Sequence, residues 1–299
     1  MKKIIIIFVI VALIGIGIYY FINSSNNLIV VGEQNNATTI PVVASSTATS
    51  TNSLETVIGK SVQGRNITAY HFGTGETELL FVGGIHGGYE WNTVLVAFEA
   101  MDYLKANPSV IPANVKVTVI PVLNPDGLNK VVGTVGSFTS ADVPVVEADT
   151  IPGRFNANNV DLNRNFDCDW QAKAVWQNKT VSGGSVAFSE PESLAIKNYI
   201  EKQNPKAVVV WYSAAGGVFS SNCHTGVLPE TKILTNLFAT ASGYPSNEEF
   251  NFYETTGDMT NWLAKIKIPA ISILLTNHKD VEWNKNLAGI QALLKYYSK

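Results

Sequence analysis

The feature that most restricts what this chain can become is Leu79-Leu80-Phe81-Val82-Gly83-Gly84-Ile85-His86-Gly87-Gly88-Tyr89-Glu90. Here an apolar run stops on a pair of glycines and a helical pattern opens at Trp91. It reads as a strand, a turn and a helix start. Such a junction belongs to an open α/β sheet, where ligands bind beyond the carboxyl ends of the strands. A His and a Glu displayed on that turn are placed for chemistry, and imidazole with carboxylate is the donor chemistry of catalytic zinc sites, which use three protein ligands and an open position. The same residues also read as a glycine-rich turn whose Glu serves the positive end of a helix. The passage alone does not decide between the two.

The chain beyond this junction repeats the alternation. Leu79 to Val82, Val115 to Ile120, Ala207 to Trp211 and Ile268 to Leu275 predict strands, several of them apolar throughout, as central strands covered on both faces are. Trp91 to Lys105 predicts a helix. A second opens at Ser189-Glu190-Pro191-Glu192, which offers an N-cap, an early Pro and a Glu placed for a capping box. A third runs from about Glu230 to Ser242 and stops at Gly243, and the last covers roughly Asn284 to Tyr297. Asn124-Pro125-Asp126-Gly127 predicts a turn. Together these specify one α/β domain over residues 54–299, with a mixed, mostly parallel sheet flanked by helices.

Ahead of it, Met1-Lys2-Lys3 precedes an apolar run from Ile4 to Ile22, long enough to cross a bilayer as a helix with the lysines on the cytoplasmic side. The run ends in Tyr19-Tyr20-Phe21-Ile22-Asn23 and not in the small residues of a cleavage site. Residues 1–22 are therefore expected to be a transmembrane signal-anchor. Residues 23–53, rich in Ser, Thr and Asn with almost no charge, predict a disordered tether, and the domain is expected outside the cytoplasm, held at the membrane. In that compartment the chain's two cysteines, Cys168 and Cys223, are a candidate disulfide. Two unrelated buried thiols are the other reading. A formal net charge of -3, from 21 basic and 24 acidic residues with no basic block, gives no reason to expect nucleic acid as a partner.

The stretch Gly153 to Phe166 carries two Arg and several Asn with few aliphatic residues among them. Such a set suits a carboxylate, because the guanidinium fork binds one through two parallel hydrogen bonds and Asn adds a donor. A solvated loop laced with Asx turns is the alternative.

From Leu54 onward the chain resembles the zinc carboxypeptidases of the carboxypeptidase A type, including their short bacterial relatives. The resemblance is carried by Ile58-Gly59-Lys60-Ser61 with Gly64-Arg65, by Gly84-Ile85-His86 with Glu90, and by Asn124-Pro125-Asp126-Gly127. It continues through Val160-Asp161-Leu162-Asn163-Arg164-Asn165-Phe166, Ser189-Glu190-Pro191-Glu192 and Tyr253-Glu254-Thr255-Thr256-Gly257-Asp258. It implies one zinc ion with His86 and Glu90 as the first two ligands, and Arg154 as the partner of the developing oxyanion. It further implies Asn163 and Arg164 as the grip on a peptide's C-terminal carboxylate, Tyr253 closing over it, and Thr260 near the pocket for the terminal side chain. The implied activity is removal of C-terminal residues from peptides, cell-wall peptides among them.

Two positions depart from the family. Tyr212 stands where the third zinc ligand, a His, belongs, and Leu274 stands where the catalytic Glu belongs. Three residues also separate His86 from Glu90 where the family has two. Zinc held by His86 and Glu90 alone lacks the three-ligand cage, and losing a positioned general base costs about 10²–10⁴ in rate. His224 and His278 follow strand ends and are candidate substitute ligands, with Asp280 or Glu282 as substitute base; each also reads as a surface loop residue. His71 has no family role and reads as structural or exposed. Three functions follow: a peptidase with a rescued site, a pseudoenzyme that binds peptide carboxylates without hydrolysis, and a deacylase of small acyl amino acids on the same scaffold.

Overall fold

The computed structural model describes residues 54–299; the expected anchor and tether lie outside them. Among the described residues no helix is long and apolar enough to cross a membrane. The strands in chain order are β1 (Glu55–Lys60), β2 (Asn66–Phe72), β3 (Thr77–Val82), β4 (Val115–Ile120), β5 (Lys173–Trp176), β6 (Lys179–Ser182), β7 (Ala207–Ser213), β8 (Gly217–Ser220), β9 (Ser246–Asn247) and β10 (Ala270–Leu275). Eight of them form one sheet in the order β1-β2-β4-β3-β7-β10-β8-β9, and β5 and β6 make a separate hairpin. The pairs β3/β4, β3/β7, β7/β10 and β8/β9 are parallel, while β1/β2, β2/β4 and β8/β10 are antiparallel. The sheet is thus mixed and mostly parallel, as expected.

The helices are α1 (Trp91–Ala106), α2 (Pro125–Val132), α3 (Pro191–Gln203), α4 (Pro229–Ser242), α5 (Met259–Lys265) and α6 (Trp283–Tyr296). One sheet face is covered by α1, α4 and α6 through residues such as Val96, Phe238 and Leu293. The other is covered by α3 and α5 through Ile196, Ile200, Trp262 and Leu263. β7 and β10 are buried at every position, and burial on both faces explains why they are almost wholly apolar.

Two local expectations are corrected. Asn124-Pro125-Asp126-Gly127 is the start of α2 and not a free turn: the Asn124 side chain accepts from Gly127 N at 2.8 Å, and Pro125 occupies the first turn, where its missing N–H costs nothing. Ser189 does not cap α3. Glu190 holds the N-cap place without a side-chain cap bond, because Ser189 Oγ is spent on Glu190 Oε1 at 2.8 Å while Glu192 turns to Val62 N and Asn156.

Since β3, β7 and β10 are parallel, the chain leaves all three at the same end of the sheet, through residues 83–90, 214–216 and 276–282. The first crossing needs its glycines. Gly87 sits at φ +46°, and a Cβ there would lie 2.6 Å from the carbonyl oxygen of Gly153, so only glycine lets the segment carrying Arg154 close against the turn carrying His86. The candidate disulfide is formed: Cys168 and Cys223 are bonded, with Cα atoms 6.2 Å apart and a sequence separation of 55. Closing a loop of that length constrains the unfolded chain by about 4 kcal/mol in the chain-entropy picture.

Candidate functional site

At the carboxyl ends of β3, β7 and β10 lies a cavity of about 430 Å³. At one end, His86 Nδ1 stands 2.8 Å from Glu90 Oε1, and His86 Nε2 stands 3.3 Å from Asp161 Oδ1. The extra residue between His86 and Glu90 therefore does not keep their donor atoms apart. Neither contact has the alignment of a hydrogen bond: both His86 nitrogens and Glu90 Oε2 are buried without a hydrogen-bond partner. Arg154 gives Nε and Nη2 to Asp161 Oδ2 at 2.9 and 2.8 Å, and its Nη1 lies 3.7 Å from Glu90 Oε1. Its guanidinium carbon lies 4.4 Å from the centre of the Trp176 ring. Burial alone would raise the Asp161 carboxyl, but Arg154 and His86, with help from Arg164, hold it well below the usual carboxylate range.

The other end is built on Asn163 and Arg164. Arg164 is 1% exposed; it donates Nε to Val175 O at 2.9 Å and Nη1 to Asn163 O at 2.7 Å. That leaves Nη2, among the described residues, without a hydrogen-bond partner at the cavity wall, 5.9 Å separating the guanidinium from the centre of the Tyr253 ring. Asn163 donates Nδ2 to Asp258 Oδ2 at 2.8 Å and accepts at Oδ1 from Met259 N at 3.0 Å. Asp258 in turn caps α5, accepting from Asn261 N and from the Thr260 hydroxyl, each at 2.8 Å.

Both departing positions face this cavity. Tyr212 on β7 and Leu274 on β10 are cross-strand partners. The Tyr212 hydroxyl is turned to the Asn163 end, donating to Asn163 Oδ1 at 3.2 Å, while its ring centre lies 5.8 Å from that of His86. Burial, reinforced by the neighbouring Asp258 and Glu90 charges, pushes its pKa well above the usual tyrosine value, so the hydroxyl is neutral. Thr260 lines the cavity.

The two substitute histidines part company. His224 is corrected as a candidate: it is exposed, its Nε2 2.7 Å from Asp169 Oδ2, and it is not among the residues lining the cavity. The Cys168, Cys223 and His224 atoms do cluster, but sulfurs bonded to each other are not thiolate ligands. His278 lines the cavity, its ring centre 4.4 Å from that of Tyr89, with Nδ1 buried and unpartnered. Burial lowers its pKa, against the pull of Glu90 and Glu147. Neither proposed base is in place. Glu282 accepts from Thr276, Tyr244 and Lys285, and Asp280 from Asn277. His71 is structural, bridging Thr56 and Thr118.

Sequence reasoning missed three residues that build the site. Asp161 holds Arg154, Asp258 holds Asn163, and Trp176 covers Arg154. The signal for the first was at hand, since a buried Asp two residues before an Asn-Arg pair needs a cation.

Residues 45–279 match the model of the zinc carboxypeptidase family. The chain belongs to that family. Among zinc carboxypeptidases, the catalytic chain of human carboxypeptidase N is 28% identical over 184 residues, which are 57% of this chain and 37% of that protein. A gamma-D-glutamyl-L-diamino acid endopeptidase of Lysinibacillus sphaericus is 24% identical over 218 residues, 66% of this chain and 54% of that protein. The chain thus spans between a third and about half of these relatives. The crystal structure of a murein-tripeptide amidase from Escherichia coli O157 shares the fold, with a TM-score of 0.59, 22% identity, and coverage of 81% of this chain and 91% of that one.

A zinc carboxypeptidase implies a zinc ion. Two donors here suit one: His86 and Glu90 approach each other without a hydrogen bond, their remaining atoms unpartnered, as two ligands of one cation do. The third family position does not fit, because a neutral tyrosine hydroxyl committed to Asn163 is no zinc donor. The family positions of this chain therefore hold two donors of the three that a catalytic zinc takes.

Proposed function

We propose that this zinc carboxypeptidase homologue binds peptides by their free C-terminal carboxylate and does not hydrolyse them by the family's route. The observation that carries the reading is Arg164. A guanidinium buried to 1% exposure, with two nitrogens fixed on backbone carbonyls and the third open at a cavity wall, is a preset donor for a carboxylate. Asn163, locked by Asp258, stands beside it, and Tyr253 flanks it. Against hydrolysis stand Leu274, which cannot take a proton from water, and the donor missing at Tyr212. The deacylase reading needs the same base and is no better served.

The similarity to a murein-tripeptide amidase and a gamma-D-glutamyl-L-diamino acid endopeptidase supports wall peptides as the ligand class. An extracytoplasmic location, anchored by the apolar run at residues 4–22, is supported by that run and by the disulfide, which persists outside the reducing cytosol. The test is calorimetric titration of the full chain with a short peptide as free acid and as C-terminal amide. The acid is expected to bind roughly 100-fold tighter, as a charge-assisted contact of about 3 kcal/mol gives. Equal affinities would end the proposal.

A further inference from the structure

We infer that Cys168, Cys223 and His224 form a redox-gated site for a thiophilic divalent cation: in the reduced chain the two sulfurs and the imidazole hold the cation, and closing the disulfide releases it. None of the three lines the cavity, so the site stands apart from the peptide reading.

Among the described residues these are the one group of three or more His, Cys, Asp and Glu side chains whose donor atoms all lie within 4.8 Å of one another. Thiolate and imidazole are the ligand types of zinc, and two Cys with one His make a three-donor set that leaves a fourth position open. The fold gathers them: Cys168 follows the Asn163-Arg164 turn, Cys223 and His224 follow β8, and the cysteines have a sequence separation of 55.

Asp169 supplies the carboxylate behind the histidine. Its two oxygens lie 2.8 and 2.7 Å from His224 Nε2, and Oδ2 lies 3.9 Å from Cys168 Sγ. A carboxylate so placed fixes the ring of a histidine ligand and raises its basicity. As an exposed ion pair the contact adds little to stability. Yet both partners, each directly after a cysteine, hold left-handed backbone, Asp169 at φ 53° and His224 at φ 61°, which residues other than glycine adopt at a cost.

The exchange balances. A dithiol reductant passes two electrons and two protons to the S–S bond, leaves two thiols and itself closes to a disulfide. The cation then displaces both thiol protons and forms two metal–thiolate bonds. An oxidised dithiol reverses the sequence, the S–S bond reforming as the cation leaves. Either link joins the same two loops. Cys168 O accepts from Gly257 N at 2.7 Å, and Gly257 O accepts from Phe166 N at 3.0 Å, so the loop of Cys168 is tied to the strap that leads into Asp258. Both states belong to the life of the chain, because cysteines are made as thiols and the bond is added afterwards.

The experiment uses the full chain, purified with its disulfide closed, reduced with a dithiol, freed of reductant without oxygen and titrated with Co²⁺. The thiolate-to-cobalt charge-transfer band is the readout, since the chain has only these two cysteines, with near-ultraviolet circular dichroism beside it to follow folding. About one cobalt per chain should give the band after reduction, none before, and an oxidised dithiol should erase it. His224→Ala and Asp169→Ala, both made with the disulfide closed, should each weaken the reduced form's binding about tenfold or more. No band in the reduced chain would overturn the inference. So would a band of equal affinity in His224→Ala, which would mean two free thiols and no site, and so would a reduced chain that unfolds and is not restored by cobalt. Weakening in His224→Ala but not in Asp169→Ala would uphold the three ligands and remove Asp169 from its supporting place.

Discussion

The two ends of the cavity carry their buried polar groups differently. At the Asn163 and Arg164 end they are matched: Asn163 is bonded to Asp258, Met259 and Tyr212, Asp258 caps a helix, and Arg164 keeps only its outward edge free. At the His86 and Glu90 end, both His86 nitrogens lie within 3.5 Å of a carboxylate oxygen without forming a hydrogen bond, and they and Glu90 Oε2 stay unpartnered. One end is matched within the protein save for the Arg164 nitrogen left to a ligand; the other leaves several buried groups unmatched. Tyr212 joins them from a family ligand position, with its hydroxyl spent on the matched end.

The strongest way to break this contrast is to give the unmatched end what the family has there. Tyr212 and Leu274 are partners across β7 and β10, so Tyr212→His with Leu274→Glu places a third donor and a base side by side. The double variant is expected to release C-terminal amino acids from a peptide about 10²–10⁴ times faster than the wild-type chain, the usual contribution of a positioned base. Either single change should give far less. A zinc-loaded double variant with no gain, followed by amino-acid analysis of the products, would mean that the cavity differs from a peptidase site in more than these two side chains.

The matched end is sharpened by Arg164→Ala, which should weaken binding of a peptide acid by roughly 100-fold, about 3 kcal/mol, and leave the amide's affinity nearly unchanged. Arg164→Lys should recover little. An ammonium is a point charge, and it cannot hold two backbone carbonyls and a ligand at once in the guanidinium's fork. Competitive titration against the acid measures both, and a fully active Lys variant would show that charge and not the fork is read.

How much of this was legible beforehand follows from where each partner lies. Central strands such as Ala207 to Trp211 announce themselves because burial on both faces forbids polar residues. The turn at His86 was legible because glycines mark it. Asn124-Pro125 was misread, since Asn before Pro suits both a turn and a helix start, and only the bond from Gly127 N to Asn124 decides. Asp161 lay within reach of a sequence argument, its partner Arg154 being seven residues away, whereas Asp258 escaped notice because its partner is tertiary: it reaches Asn163 across 95 residues of chain. His224 and His278 were equivalent in sequence, each just beyond a strand end. The structure leaves His224 exposed beside Asp169, while Asn92 holds the loop of His278, which lines the cavity.

A smaller effect is expected from Asp258→Ala. It removes the cap of α5 and the acceptor of Asn163 Nδ2 together, costing about 1–2 kcal/mol as N-cap losses do. Because the same carboxylate positions Asn163, affinity for the peptide acid should fall in parallel. Urea unfolding read beside titration checks the pairing, and lost stability with intact binding would detach the cap from the site.

Tyr212→Phe is the subtlest variant, and it tests which end Tyr212 serves. Deleting the hydroxyl takes one donor from Asn163 Oδ1, which keeps the bond from Met259 N, so the expected loss at pH 7 is about 1 kcal/mol. Burial raises the folded-state pKa of this tyrosine well above its ordinary value. The stability it contributes is therefore complete below the unfolded value of about 10 and is lost as pH rises through the folded one. Wild type should thus lose more stability than the Phe variant between pH 9 and about 11, and the two denaturation midpoints should converge there. Other buried tyrosines, Tyr89 pushed up to about 12 among them, add a decline common to both chains, so the difference isolates Tyr212. If the midpoints keep their separation, the hydroxyl is not the buried neutral donor of Asn163. If instead the Phe variant keeps its stability and loses bound metal, Tyr212 belongs to the His86 end, and the contrast between the two ends fails at the residue that joins them.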